Sequence, residues 1–430
     1  MKVAVTSLGC SKNLVDTEVM LGHLARAGCS VVEEPEGADC LLVNTCAFLT
    51  EAVQEALDRI VELAQYRSRG DVARLVVTGC LVSRYGSDLR KEIPEIDALV
   101  GPSSLEEVVE AVTGRSDSVN EKEQEFPLRL RSSPGHRAYL KVGEGCSNHC
   151  TYCLIPHLRG PFRSRTADSV ISEAGWLMDQ GVREISLVAQ DTGRFGSDNG
   201  EGNLAGLVRR ILALPGDAWI RILYVHPSRI EEQLLDVMVS DSRVCRYMDI
   251  PFQHVSAAVL DRMGRMEVPR AEAVLRRVRD AVPGVFIRTT LMTGFPGETG
   301  EDFRELLRFV EGADIDHLGV FPYSREEGTP AASMAGGVGG DVAVERARIL
   351  MEIQDSVSSR RLGNLVGKRL DVLAEGTDEK GPFGRHRGQA PEVDGVVRLD
   401  RTVEPGRVVP VRIVGSGVYD LIGEVLGTKG

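Results

Sequence analysis

No stretch of this 430-residue chain is apolar over the length a membrane span needs. The first residues, Met1 to Gly9, hold only a short apolar run before turning polar, so neither a signal peptide nor a membrane partner is expected. Basic residues are also in short supply: 51 Lys and Arg face 63 Asp and Glu, for a net charge of −12. That balance disfavours a polyanion such as tRNA as the main target, although a local basic patch can still bind RNA, and it steers basic partners towards the protein. Cysteine is too sparse for a disulfide framework, with nine residues in the whole chain, and six of them fall into two groups with metal logic. A reducing cytoplasm follows as the expected location. The length calls for two or three domains.

Residues 1–120 read as strands alternating with helices, and this spacing predicts an α/β sandwich around a parallel sheet. Strands are expected at residues 2–8, 40–44, 75–78 and 98–101, and helices at 16–26, 50–64 and 105–112. Cys10, Cys46 and Cys80 each lie just past the carboxyl end of a strand, in Leu8-Gly-Cys10, Asn44-Thr-Cys46 and Thr78-Gly-Cys80. Open parallel sheets build their sites on that edge, so three thiols far apart in sequence should converge. Cys29, Cys40 and Cys245 read instead as ordinary core cysteines.

A polar linker is expected over residues 115–134. The alternation then resumes over residues 132–362, with strands at 138–142, 184–189, 220–225, 247–250, 285–292 and 317–321. Helices are expected between them at 167–179, 230–239, 270–281 and 301–311. Six βα units make an incomplete barrel whose site belongs at the carboxyl ends of its strands. A helix over 342–362, with Val342, Ile349, Ile353 and Val357 on one face, leads to residues 365–430. There, short β-branched strands at 369–373, 396–399, 408–414 and 418–421 predict a small β-barrel. Ten basic and ten acidic side chains cancel in this segment, which makes it a poor clamp for nucleic acid.

The first barrel strand is followed by Cys146-Ser-Asn-His-Cys150-Thr-Tyr-Cys153. A four-iron, four-sulfur cluster normally takes four thiolates, so three on one loop can leave one iron open to a substrate. The alternative is a zinc knuckle completed by His149 or His157. The C-x3-C-x2-C spacing, with Tyr152 before the last cysteine, resembles the signature of radical S-adenosylmethionine (SAM) enzymes. That resemblance implies SAM chelated at the open iron and split to methionine and a 5′-deoxyadenosyl radical.

All three domains, in this order, resemble the methylthiotransferase family of radical SAM enzymes: an amino-terminal three-cysteine α/β domain, a partial (βα)6 radical SAM barrel and a carboxyl-terminal TRAM β-barrel. Ser7-Leu-Gly-Cys-Ser-Lys-Asn13 with Val15-Asp-Thr-Glu18, Ile155-Pro-His-Leu-Arg-Gly160, Asp249-Ile-Pro-Phe-Gln-His254 and Tyr323-Ser-Arg-Glu-Glu-Gly-Thr-Pro330 resemble the branch that modifies an aspartate in the small-subunit ribosomal protein numbered twelve. The branch that modifies an adenosine in tRNA usually opens with Gly-Cys-Gln-Met-Asn and carries Arg-Pro where this chain has Glu326-Glu327. The resemblance implies one 4Fe-4S cluster on Cys146, Cys150 and Cys153, a second on Cys10, Cys46 and Cys80, SAM as cofactor, and an electron donor such as flavodoxin or ferredoxin. Tyr152, Gln190, Asp191, Asp249 and Gln253 are candidate contacts to SAM or substrate, with packing and capping as their ordinary roles. Gly294 to Thr299 is a candidate for a close backbone approach to SAM or a simple tight turn, and Arg163 and Arg165 are candidate partners for the target carboxylate. A plain iron–sulfur carrier is the reading from another class of function, but such carriers usually ligate each iron with protein thiolates, and both triads here stop at three.

Overall fold

The computed structural model describes residues 1–102, 104, 107–115 and 128–427. The amino-terminal unit holds β1 (Lys2–Ser7), α1 (Ser11–Arg26), β2 (Ser30–Val32), β3 (Cys40–Thr45), α2 (Thr50–Arg69), β4 (Arg74–Gly79), α3 (Cys80–Glu92), β5 (Ala98–Val100) and α4 (Val108–Thr113). Its five strands form one parallel sheet in the order β2-β1-β3-β4-β5. Side chains alternate across it because successive strand residues point to opposite faces. Leu41, Val43 and Val77 pack with Ile60 and Leu63 of α2 and Leu81 of α3, while Leu42 and Val76 pack with Met20 and Leu24 of α1 and Val109 of α4. Cys29 and Cys40 belong to the second of these layers, and burial pushes the Cys40 thiol up to about 12. α1 begins directly after Cys10, five residues earlier than its apolar periodicity suggests. Residues 105 and 106 of the helix expected at 105–112 lie outside the described residues.

The expected linker lies largely outside the described residues, but its end is not loose. Arg129 is buried between Glu18 of α1 and Glu173, and it also donates to the Tyr139 carbonyl at 2.8 Å.

The barrel strands are β6 (Arg137–Lys141), a short hairpin of β7 (Gly143–Glu144) and, after helix α5 (Ile155–Arg159), β8 (Arg163–Ser164). They continue with α6 (Ala167–Asp179), β9 (Glu184–Val188), α7 (Leu204–Leu212), β10 (Trp219–Ile222), α8 (Glu232–Ser240) and β11 (Tyr247–Asp249). The unit ends with α9 (Ala257–Arg262), α10 (Ala271–Ala281), β12 (Phe286–Thr293), α11 (Gly300–Gly312) and β13 (His317–Pro322). Two parallel three-stranded sheets, β6-β9-β10 and β11-β12-β13, meet at an isolated parallel bridge between Ile220 and Val244. Residues such as Leu140, Ile185, Ile220 and Ile287 face outward under the helices. Inward, Tyr139, Val188, Trp219 and Tyr247 form one cluster with Val15 and Val19 of α1 and with Leu373 and Ala390 near the carboxyl terminus. The lumen is therefore packed from both ends.

Helix α12 (Gly340–Gly363) leads to β14 (Arg369–Asp378), β15 (Gly381–His386), β16 (Val397–Leu399), β17 (Val408–Ser416) and β18 (Leu421–Val425), a closed barrel in the order β14-β15-β16-β18-β17. The α12 stripe differs from expectation. Ala343, Ala347, Leu350, Gln354 and Val357 are buried, whereas Val342 is exposed. Close approach of Gly294 decides this: a Cβ there would lie 2.2 Å from the Ala343 Cβ, so only small residues fit at the contact. The strand expected at 418–421 falls at Leu421–Val425, and β15 has no β-branched residue to announce it. This barrel caps the amino-terminal ends of the larger one. Glu184 pairs with Arg385 (2.7 Å), His136 with Glu375 (3.0 Å) and Arg288 with Asp394 (2.7 Å), and Tyr247 donates to Asp394 (2.8 Å).

Candidate active site

At the opposite, carboxyl-terminal ends of the barrel strands lies a cavity of ≈ 350 Å³ between the barrel and the amino-terminal sheet. Cys10, Cys46 and Cys80 line it together with Cys146, Cys150 and Cys153. Two triads from separate units thus share one chamber.

Parallel-sheet geometry carries the first triad. Cys46 and Cys80 directly follow β3 and β4, and Cys10 opens α1. Two glycines make the close approach feasible. Gly9 (φ +96°) and Gly79 (φ +98°) have backbone conformations that side chains resist, and a Cβ on Gly79 would lie 2.4 Å from the Thr45 carbonyl oxygen. Asn13 clips the strand ends together by donating to the carbonyls of Leu8 (2.9 Å) and Thr45 (3.0 Å). The second triad sits on the loop after β6. The Cys146 amide donates to Gly160 (3.0 Å), and Thr151 donates to Met263 (3.0 Å).

Cationic groups surround these thiols. Arg159, buried on α5, reaches across to donate to Cys80 Sγ at 3.3 Å, and Arg265 donates to Cys150 Sγ at 3.5 Å. Burial pushes the Cys80 thiol up to about 11 against the pull of Arg159, and pushes Cys153 to about 12. Cys10 goes the other way: desolvation works to raise it, but Lys12, Asn13 and Arg159 together hold it below its ordinary value. Arg159 also binds Asp16 (2.8 Å) and Glu144 (3.1 Å), and Lys141 binds the same two carboxylates. This buried, charge-balanced set fixes the barrel to α1.

Tyr152, Gln190, Asp191 and Gln253 line the cavity as well. Tyr152 packs edge-on to Phe295 at 6.3 Å. Gln190 donates to Glu144 (2.9 Å), and Asp191 accepts from Asn148 (3.0 Å) and Arg229 (3.3 Å). Asp249 is not among the lining residues. It accepts the Tyr224 amide at 3.1 Å, which helps hold Tyr224 at φ +60°. Gln253 at φ +70° is a second such residue, so two of the four positive-φ residues other than glycine among the described residues line this cavity. His149 and His157 are exposed and outside the lining, which removes the zinc-knuckle partner set.

Other expectations are corrected. Arg165 is spent on Glu173, Ser169 and the Lys141 carbonyl. Glu326 is buried, pairs with Arg84 at 2.8 Å and accepts the Thr50 amide at the start of α2, so it clamps two units together and does not steer a basic partner. Sequence reasoning assigned no role to Lys12, Asn148, Arg159, Tyr224, His226 or Arg265, all of which line the cavity. Their only sequence signal was proximity to the cysteine motifs or to strand ends. The imidazole of His226 is held neutral, pushed down to about 3 by burial and nearby arginines, and its Nε2 is buried without a partner.

Residues 2–101 match a family described as uncharacterized protein family UPF0004, residues 140–310 the radical SAM superfamily and residues 366–426 the TRAM domain. Ribosomal protein uS12 methylthiotransferase RimO from Trichlorobacter lovleyi is 45% identical, covering 99% of this chain and 98% of its own. The protein of the same name from Desulforudis audaxviator is 46% identical over 99% of this chain and 97% of its own. Among solved structures, the radical SAM methyltransferase TsrM from Kitasatospora setae, with cobalamin and a 4Fe-4S cluster bound, superposes with a TM-score of 0.58 at 16% identity, covering 89% of this chain and 78% of that one, a likeness of fold alone. With both cysteine triads on one chamber and full-length relatives at this identity, the chain belongs to the RimO family of radical SAM methylthiotransferases.

Proposed function

We propose that this protein replaces one hydrogen on the β-carbon of an aspartate in ribosomal protein uS12 with a methylthio group. The observation that carries this reading is the convergence of six thiols from two units on one ≈ 350 Å³ cavity. Cys146, Cys150 and Cys153 would hold one 4Fe-4S cluster with SAM at its open iron, and Cys10, Cys46 and Cys80 would hold the second. Bound there, the clusters would pass on an electron from the reductant and present a sulfur species, and SAM would supply the hydrogen-abstracting radical and the methyl group.

The donor set fits two anionic clusters, since Arg159 and Arg265 already donate to cluster thiols. Gln190 Oε1 and Asp191 Oδ1 are buried acceptors without a partner, suited to the amino group of SAM. Tyr152 offers an aromatic edge to the adenine, and Gln253 a polar contact at the rim. Asp249 acts one step back, by orienting Tyr224. Packing of the lumen by α1 and the carboxyl-terminal barrel keeps water from the radical. A cytoplasmic setting and a reductant such as flavodoxin or ferredoxin belong to this reading. Among the described residues no helix is long and apolar enough to cross a membrane.

The test is anaerobic reconstitution with SAM, reductant and a peptide carrying the target aspartate. About eight irons per chain and a peptide mass gain of one methylthio group are expected. An isopentenyl- or threonylcarbamoyl-adenosine tRNA should stay unchanged. Modification of the tRNA and not the peptide would overturn the substrate assignment.

A further inference from the structure

The geometry points to Lys12 as the group that receives the side-chain carboxylate of the substrate aspartate. Lys12 stands in the first turn of α1, two residues past Cys10, and faces the cavity shared by both triads. Its side chain is deeply enclosed, with 8% exposure. Its ammonium lies 3.6 Å from the centre of the Tyr224 ring, and it forms no ion pair among the described residues. The ring attracts the cation through its negative face but brings no net negative charge.

The other charged groups of the chamber are already committed. Arg159 binds Asp16 and Glu144, Arg265 binds the Pro251 carbonyl (2.8 Å) and Cys150, and Asp191 accepts from Asn148 and Arg229. Asp249 attracts Lys12 through space but forms no ion pair with it, and accepts the Tyr224 amide. Cys10 Sγ accepts from the backbone amides of Asn13 and Lys12 and feels the Lys12 ammonium only through space, and its thiolate charge would be shared with iron in a cluster. Cys10 and Asp249 attract the ammonium through space but neither forms an ion pair with it, so a buried cation is left with room for an anion that bonds it directly.

An aspartate carboxylate suits this ammonium in both charge and position. The reacting β-carbon is bonded directly to the carboxylate carbon, so tying the carboxylate to Lys12 fixes the β-carbon one bond away, beside the triad of Cys10. Tyr224 does more than hold the cation. With its amide given to Asp249 and its carbonyl accepting from Thr192 (3.0 Å), its left-handed backbone is held on both sides, which fixes the ring against the Lys12 ammonium.

Because the uS12 reading supplies the aspartate, the assignment stands on that reading, and the experiment separates the two. Holoenzyme, wild type and the K12M and K12R variants, is titrated with fluorescent peptides carrying Asp or Asn at the target position, and SAM affinity and iron content are measured in parallel. The wild type should bind the Asp peptide at least ten-fold more tightly than the Asn peptide. In K12M that preference should vanish, with iron content and SAM affinity held, and K12R should keep part of it. K12M that weakens both peptides equally, keeps the preference, loses iron or loses SAM affinity overturns the role given to Lys12. A wild type that neither binds nor modifies the Asp peptide overturns the substrate reading itself.

Discussion

Glu184 lies fully buried between the guanidiniums of Arg221 and Arg385, at 2.6 and 2.7 Å. Burial alone would raise its carboxyl, but the two cations outweigh burial and hold it down at about 2, against an ordinary value of 4.5. The ionised form therefore adds stability in full above the ordinary value, and that contribution is lost as pH falls through 4.5 towards 2. At 1.36 kcal/mol per unit it amounts to roughly 3 kcal/mol. Circular dichroism in acid should show unfolding set in within that window. E184Q should flatten this limb while lowering neutral-pH stability by about 3–5 kcal/mol, since two buried cations lose their partner. Gly79 permits a sharper test. G79A adds a Cβ 2.4 Å from a carbonyl oxygen at φ +98°, so iron content should fall to that of a protein with the Cys146 triad alone. Full iron in G79A would mean that the strand end tolerates the shift.

Helix α1 is the element on which both the site and the assembly depend. One face seals the amino-terminal sheet with Met20 and Leu24, and another enters the barrel mouth with Val15 and Val19. Between these faces it presents Lys12 and Asn13 to the cavity and Asp16 to Arg159 and Lys141. Midway along it, Glu18 meets Arg129, which is shared with Glu173 of α6. Replacing Arg129 by Met leaves Glu18 buried without a cation and should cost about 3–5 kcal/mol in urea unfolding. The loss should change little between low and high salt, because buried pairs are weakly screened. A loss below about 1 kcal/mol would place this clamp among the weak surface pairs.

At the scale of the molecule, the amino-terminal sheet covers the catalytic end of the barrel and the carboxyl-terminal barrel plugs the other end. Buried ion pairs and a shared apolar cluster run through the lumen, so calorimetry should show one cooperative transition. Two well-separated transitions would show units that fold alone. Because the triads belong to different units, their roles should come apart. Changing Cys10, Cys46 and Cys80 together should still allow deoxyadenosine to form while no methylthio product appears, and changing Cys146, Cys150 and Cys153 should stop SAM cleavage. Association with the ribosomal protein should weaken as salt rises, through the net charge of −12 and not through Glu326, which is buried.

Local patterns in the chain were enough to fix the α/β class, the six barrel strands and the six cysteines, because apolar periodicity and motif spacing depend on neighbours in sequence. Helix α6 was expected at 167–179 and spans Ala167–Asp179. Strand β15, rich in glycine and proline, was illegible because its place is set by a close approach: a Cβ on Gly384 would lie 2.4 Å from the Leu373 carbonyl. The same limit held at the site. Arg159 and Arg265 looked like any surface arginine in sequence, and only the fold desolvates them against thiols and carboxylates. Glu326 looked like a charge offered to a partner until the fold buried it against Arg84 and Thr50. Which charges are spent inside and which face the cavity depends on what surrounds each one in space, so tertiary structure alone left Lys12 facing the chamber without an ion pair among the described residues.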